Sequence, residues 1–300
     1  MLRRSAIKRI IMSSLALIIM LLLCIFPKSN DLSIPEEVIY VEELTMPIYV
    51  MDQNNYVARI SVIKNDTEDE INYIIDTLTI GSITANYLPN GFTGIIPHNT
   101  KLIDYSLEDK LLKLNFSKEF LNVSKENEEK LIESLIYSLC ELEGVAQIMI
   151  FVEGTSLTKL PQSQKSLPLI LDKSYGINKI YNFDNIKDTS KTTIYYMGKY
   201  NDNIYYIPIT KITNDTIEPV EVIVNELKST PIYETNLISY LNASYELADY
   251  EILENSITLS FDNSMLANLH DEDINEKVRY TLSLSLRDTY NIENIVINID

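Results

Sequence analysis

Two phrases 145 residues apart limit what this chain can fold into. Residues 111–121 read LLKLNFSKEFL and residues 256–266 read SITLSFDNSML, so Leu112, Leu114 and Phe116 are answered by Ile257, Leu259 and Phe261. Upstream, Asn65-Asp66-Thr67 returns as Asn214-Asp215-Thr216 at an offset of 149. The apolar set Ile71, Ile74, Ile75 and Leu78 returns at that same offset as Val220, Ile223, Val224 and Leu227. The 3-1-3 spacing puts each set on one face of a helix. The drop from 149 to 145 requires a net loss of four residues between helix and strand in the second copy, which belongs in a loop. The chain therefore reads as one module written twice.

Each copy has the same order of elements. IYVM (48–51) with VARISVI (57–63), and IYYM (194–197) with IYYIPIT (204–210), pattern as paired strands around Asn- and Asp-containing turns. The first helix follows, with Thr67-Glu68-Asp69-Glu70 fitting a capping box in one copy and Pro219 fitting the first turn in the other. The alternating phrases are half-buried strands, with Lys113 and Asn115, or Thr258 and Ser260, facing away from the core. A second helix is lined by Leu131, Leu135, Leu139 and Leu142, with Ser124 as N-cap and Glu126, Glu128 and Glu129 in its first turn. Its counterpart is lined by Ile274, Val278, Leu282 and Leu286 behind Asp271, Glu272 and Asp273. VAQIMIFV (145–152) and IENIVINI (292–299) close the two copies as apolar strands.

The expected fold class is α+β: an N-terminal membrane anchor, then two tandem modules, each a small mixed sheet with two helices packed on one face. The division expected is a basic cytoplasmic tip at 1–9, a transmembrane anchor or signal segment at 10–26, a spacer at 27–45, a first domain at 46–154, a linker at 155–190 and a second domain at 191–300. Residues 153–190, with Gly154, Pro161 and Pro168 among Ser, Gln and Lys, carry the linker composition, with one short ordered piece around LPLIL. Two domains suit 300 residues, since domains cluster at about 100 to 150.

The anchor follows from Arg3, Arg4, Lys8 and Arg9 standing before the 17-residue low-polarity run Ile10 to Phe26. That length is at the short edge of what spans a bilayer and exceeds most signal-peptide cores. The flanking basic residues stay cytoplasmic, which places 31–300 outside. No Ala-x-Ala-like cleavage site follows, which favours an uncleaved anchor; the rival reading is a lipoprotein cut before Cys24, against which stands the bulky Leu23. Cys140 is then the only thiol of the exported part, read as a core cysteine without a disulfide partner. The net charge of -18 repels phosphate backbones, so nucleic acid is excluded as a partner.

The sequence presents no catalytic residue, no cofactor-binding motif and no metal-ligand set. The seven glycines form neither GxGxxG nor a P-loop. His98, in IIPHNTKL, and His270, beside an acidic helix start, are read as solvated loop histidines, and no GxSxG is present. Asp271-Glu272-Asp273-Ile274-Asn275 has a faint calcium-loop look but lacks the glycine and glutamate such a loop needs. The 20 tyrosines are assigned to strand packing and interfaces.

IPHNTKLIDYSLEDKLLKLNFSKEFL followed by EEKLIESLIYSLCELEGVAQIMIFVEG resembles the GerMN domain, a module found in tandem in sporulation and germination proteins of endospore-forming bacteria. The resemblance rests on the Pro97-x-x-Thr100-x-Leu102 turn, the strand end Leu114 to Ser117, Leu78 to Ser82, and the strand ending at Gly154. It covers 46–154 well and 191–300 more weakly, the second copy having LSFD at 259–262 but no counterpart of the Pro-x-x-Thr turn or of Gly154. It implies a non-enzymatic, membrane-anchored extracytoplasmic protein that helps assemble or stabilise a transenvelope complex between mother cell and forespore. The partners implied are protein components of that complex, with the cell membrane engaged through 10–26. No catalytic residues come with it. An assembly role of this kind is expected to leave no deep polar pocket. The alternative is a binding module for a small ligand or cell-wall fragment, which calls for a concave, tyrosine-lined site in the cleft between domains.

Overall fold

β1 (Thr45–Asp52) and β2 (Val57–Ile63) form an antiparallel hairpin, and so do β9 (Ser190–Tyr200) and β10 (Asn203–Thr213). These are the paired strands expected at the start of each copy. The computed structural model describes residues 8, 12–15, 17, 45–64, 69–182, 189–201, 203–214, 217–229, 236–241, 245–262 and 272–299. The two hairpins do not found separate sheets. They join through β2 and β10 at Arg59 and Tyr206, giving a six-stranded sheet in which β3 (Phe92–Thr93) extends β1 and β8 (Ile180–Asn182) runs parallel to β10.

The rest of each copy builds a smaller sheet of its own. In the first, β4 (Leu102–Glu108) pairs antiparallel with β5 (Leu111–Phe116), which runs parallel to β6 (Gln147–Val152); β7 (Thr155–Ser156) closes the edge. In the second, β11 (Leu247–Leu253), β12 (Ser256–Phe261) and β13 (Asn294–Ile299) repeat the arrangement. Parallel strands need a crossover, and the second helix of each copy supplies it: α2 (Glu128–Leu139) between β5 and β6, α4 (Glu272–Tyr290) between β12 and β13. The expectation of one mixed sheet per module with both helices on one face is thus corrected. Each copy divides its strands between a shared sheet and a private one. β4 and β11 were absent from the expected order; both lie on private-sheet edges and are largely exposed, so their apolar residues lack the burial that gives a strand its pattern.

The first helices, α1 (Glu70–Leu78) and α3 (Pro219–Lys228), bury the stripes foreseen for them: Ile71, Ile74, Ile75 and Leu78, and Val220, Ile223, Val224 and Leu227. Pro219 opens α3 as expected. α1 is capped by Asp69, whose carboxylate accepts from the N–H groups of Ile71 and Asn72; Thr67 and Glu68 of the foreseen capping box lie outside the described residues. α2 starts at Glu128 behind Asn127, with no side-chain cap, so Ser124 is not its N-cap. Leu131 to Leu139 are buried without interruption. In α4, Val278, Leu282 and Leu286 are buried as foreseen.

Residues 155–182 are more ordered than their composition suggested. Leu160, Leu167, Leu171 and Ile177 are buried in the core. Glu128 accepts from the N–H groups of Gln162 and Ser163, and Glu133 pairs with Lys179 at 2.7 Å and accepts from Asn178 N–H. The segment is strapped along α2 by buried carboxylates, an arrangement that a count of Ser, Gln and Lys does not reveal.

The motif residues behind the resemblance close turns. Thr100 donates through Oγ1 and N–H to the Pro97 carbonyl at 2.7 and 3.2 Å. Ser117 Oγ accepts from Lys101 N–H, and Gly154 N–H is donated to Asn115 Oδ1. Glu153 and Gly154 both have positive φ, which Gly154 adopts without strain.

Of the apolar run at 10–26, only 12–15 and 17 are described; they are helical and exposed. Among the described residues no helix is long and apolar enough to cross a membrane. Contacts gather the chain into Met1–Glu43 and Leu44–Asp300, and all the elements above belong to the second unit.

Candidate functional site

β9, and β1 before its two-residue pairing with β3, have no strand along their outer sides in the shared sheet, and an uncovered edge exposes unpaired backbone groups. Each is covered by its own copy's second helix through small hydroxyl side chains. Ser138 Oγ accepts from Tyr49 N–H at 2.9 Å while Ser134 Oγ donates to the Tyr49 carbonyl at 2.6 Å. In the second copy Ser285 Oγ accepts from Tyr195 N–H at 2.9 Å, and Thr289 bonds both the N–H and the carbonyl of Thr193. Small side chains are needed here because the helix must approach to hydrogen-bonding distance of a strand.

That approach places the ends of α2 and α4 beside the tyrosines they hold. Tyr49 and Tyr195 are fully buried and meet hydroxyl to hydroxyl at 2.8 Å. Tyr49 OH also donates to Glu141 at 3.4 Å, and Tyr195 OH to Asp288. Three cations close the cluster. Lys173 lies 2.6 Å from Glu141 and 2.9 Å from Asp288, Arg287 lies 2.6 Å from Glu141 and 3.0 Å from Asp288, and Arg59 approaches Glu141 at 4.0 Å.

The electrostatics follow from burial. Burial opposes ionisation of Asp288, but Lys173 and Arg287 outweigh it and hold the carboxyl below its ordinary range. Burial, reinforced by Glu141 and Asp288, pushes the Tyr49 and Tyr195 phenols far up, so both stay neutral donors. The cluster carries three positive and two negative groups. Buried charges that are not balanced are costly, and the least satisfied member is Arg59. Its Nη1 donates to Tyr280 OH at 2.7 Å, but its buried Nε has no acceptor.

Two clefts open beside the cluster. A polar one of about 720 Å³ is bordered by Lys173, Lys191, Arg287, Asp288 and Glu141. It departs from the expectation of no deep polar pocket, although Lys173, Arg287, Glu141 and Asp288 are occupied with one another. A smaller cleft of about 430 Å³ lies between Arg59, Ile60, Ser61, Pro89 and Phe92 of the first copy and Asn203 to Tyr206 and Tyr280 of the second. It is concave and tyrosine-lined, as the ligand-binding alternative required. Phe92 and Tyr205 cross edge-to-face at 4.8 Å and Tyr206 and Tyr280 at 4.9 Å.

The residues weighed in the sequence lie elsewhere. His98 is exposed in the turn after Pro97, as read, and His270 and Asp271 lie outside the described residues. Cys140 is half-buried, and its thiol is directed at the Ala146 carbonyl. Among the described residues no group of three or more His, Cys, Asp or Glu could hold a metal. The inter-copy cluster went unseen. Its signal was present, since Ser138 and Glu141 recur 147 residues later as Ser285 and Asp288, a nearly constant offset along the second helices.

Residues 47–158 match the Germane family, described as sporulation and spore germination. The chain is 24% identical over 258 residues to spore germination protein GerM of Bacillus subtilis (strain 168), covering 84% of this chain and 70% of that protein. Its fold matches the tandem GerMN domains of the sporulation protein GerM from Bacillus subtilis, with a TM-score of 0.77 and 22% identity over 86% of this chain and 91% of the other. The first GerMN domain of that protein also aligns, over 44% of this chain and 98% of its own length, with 23% identity and a TM-score of 0.42. The first copy thus matches the Germane family, the two copies joined at the Tyr49–Tyr195 contact have the fold of tandem GerMN domains, and the chain resembles the spore germination protein GerM.

Proposed function

We propose that this GerM-like sporulation and germination protein acts without catalysis, as a membrane-anchored extracytoplasmic factor that helps assemble or stabilise a transenvelope complex between mother cell and forespore. Residues 10–26 are its anchor, 31–300 its extracytoplasmic part, and protein components of the complex its partners. The observation that carries the reading is the fusion of the two modules through a common sheet and a buried ion cluster. Two modules on a slack linker could each find a partner independently. Two locked modules present their outer edge strands, β4 and β11, at a fixed mutual spacing, which suits a part that sets geometry in an assembly.

The test is heat-resistant spore yield in the native host lacking the gene, complemented by the full chain or by 31–300 exported without its anchor. A large drop rescued only by the anchored form is the expected result. Normal yield in the deletion strain would remove the assembly role.

The tyrosine-lined cleft between the modules favours a second reading, a binding module for a small ligand or cell-wall fragment. Strong thermal stabilisation of the protein by one glycan would select it, and zymogram activity of purified 31–300 would overturn both readings.

A further inference from the structure

The shared sheet has a fork in it. β2 and β10 are paired at Arg59 and Tyr206 alone, although ordinary antiparallel continuation would set Ser61 opposite Ile204. On one side of that pair the gap is filled by Asn178, whose side-chain amide donates to the carbonyls of Val57 and Pro208 and accepts from Val57 N–H, as a peptide group would. On the other side the gap is the tyrosine-lined cleft.

The register shows which backbone groups face into it. Tyr49 gives its N–H and carbonyl to α2, so these point away from β2; its partner Arg59 therefore directs its own away from β1, and so does Ser61 two residues on. Met197 gives its N–H and carbonyl to Ile238, so its partner Tyr206 directs its own away from β9, and so does Ile204. Ser61 and Ile204 thus aim backbone donors and acceptors into the cleft from opposite walls. A strand laid between them would bond both.

Such a strand must end where the fork closes, at the Arg59–Tyr206 pair. There it meets Arg59, which lines the cleft and whose guanidinium has an Nε without an acceptor, in a cluster with one more cation than carboxylates. A terminal amine would be repelled, while a terminal carboxylate supplies both the acceptor and the missing charge. We propose that the fork between β2 and β10 binds the C-terminal segment of an extended peptide, which adds as a strand with its carboxylate at Arg59 and its last side chains against Tyr206 and Tyr280. This deepens the assembly reading by naming the kind of partner segment.

The test pans a displayed library of random linear hexapeptides with free C-termini against the detergent-solubilised full chain, then measures hydrogen exchange with the enriched peptides. Expected are at least tenfold slower exchange at Ser61 and Ile204, at least tenfold weaker binding when the peptide is C-terminally amidated, and a similar loss in Ser61→Pro and Tyr280→Ala. Ser61→Pro removes an N–H that points away from β1 and so spares the β1–β2 ladder, and circular dichroism checks that both variants fold. No enrichment, equal binding of amidated peptides, or protection elsewhere would overturn the proposal. So would protection of the same amides by acetate, by chitooligosaccharide, or by raised protein concentration alone, which would put a free anion, a glycan or a second copy in the fork. A spore-yield defect without peptide binding would refute this site and leave the assembly role standing.

Discussion

Tyr49 and Tyr195, 146 residues apart in the chain, share a 2.8 Å hydroxyl contact, and each is hydrogen-bonded to the carboxylate at the end of its own copy's second helix. The contact joins equivalent positions of a duplicated module. Duplication made a self-complementary joint available, because a residue that contacts its own counterpart needs no separate partner to evolve.

The first prediction concerns the carboxylates of that joint. The Asp288 side chain is 1% exposed and offsets Lys173 and Arg287. Asp288→Ala leaves both cations short of a partner, which should cost about 3 to 5 kcal/mol. Tyr49→Phe removes one neutral donor while Tyr195 retains Asp288, and should cost about 1 kcal/mol. Urea unfolding of the two variants gives the comparison, and an equal loss would show that hydroxyl bonding, rather than charge balance, holds the copies together.

The duplication and the helices were legible in the sequence because both are local patterns. Ile71, Ile74, Ile75 and Leu78 announce a helix whatever they pack against. The partition of the strands was not legible. VARISVI and IYYIPIT each say strand, but the Arg59–Tyr206 pairing that merges the halves depends on register across 147 residues. The ion cluster was hidden for a related reason: Glu141, Lys173, Arg287 and Asp288 read as surface charges until α2 and α4 are drawn onto the sheet by serines. LIDYSLE alternates only weakly as a strand because its side chains lie on an exposed edge.

Acid should loosen the joint. Asp288 titrates lower in the folded chain than in the unfolded one, so its contribution to stability is full above the unfolded value of about 3.9 and is lost as pH falls through the folded value. Burial raises Glu133 instead, despite Lys179. Its folded form therefore holds a proton longer than the unfolded chain does, and its contribution falls as pH rises from about 4.3 through the folded value. Asp288→Asn should flatten the fall in stability below about pH 4, and Glu133→Gln the fall above it. Denaturant midpoints across pH 2.5 to 7 would settle the matter; an unchanged acid limb in Asp288→Asn would assign the acid sensitivity to other groups.

The edge-covering hydroxyls should be equivalent in the two copies. Ser138→Ala strips the acceptor from Tyr49 N–H, and Ser285→Ala does the same to Tyr195 N–H. A buried donor left without a partner costs about 1 to 3 kcal/mol. Each variant should lose that much and show faster exchange at its own tyrosine amide. Exchange at both amides in either single variant would mean that the shared sheet opens as one unit.

The Cys140 thiol is set apart by its surroundings. Burial pushes it up to about 12, with Lys173 opposing and nearby carboxylates adding to the rise, so at pH 8 its thiolate is far scarcer than that of a free cysteine near 8.5. The higher intrinsic nucleophilicity of a high-pKa thiolate recovers part of the difference, leaving a slowing of roughly a hundredfold. In a Cys24→Ser variant, disulfide exchange with a chromogenic aryl disulfide should therefore be slow in the folded chain and at the free-thiol rate in urea. Asp288→Ala tests the link to the joint, since loss of that carboxylate removes one of the groups raising the thiol and weakens the α2–α4 contact that shields it. Reaction should then accelerate in proportion to the lost stability. Fast labelling of the unsubstituted fold would instead show that the surroundings of the half-buried Cys140 thiol do not suppress its thiolate.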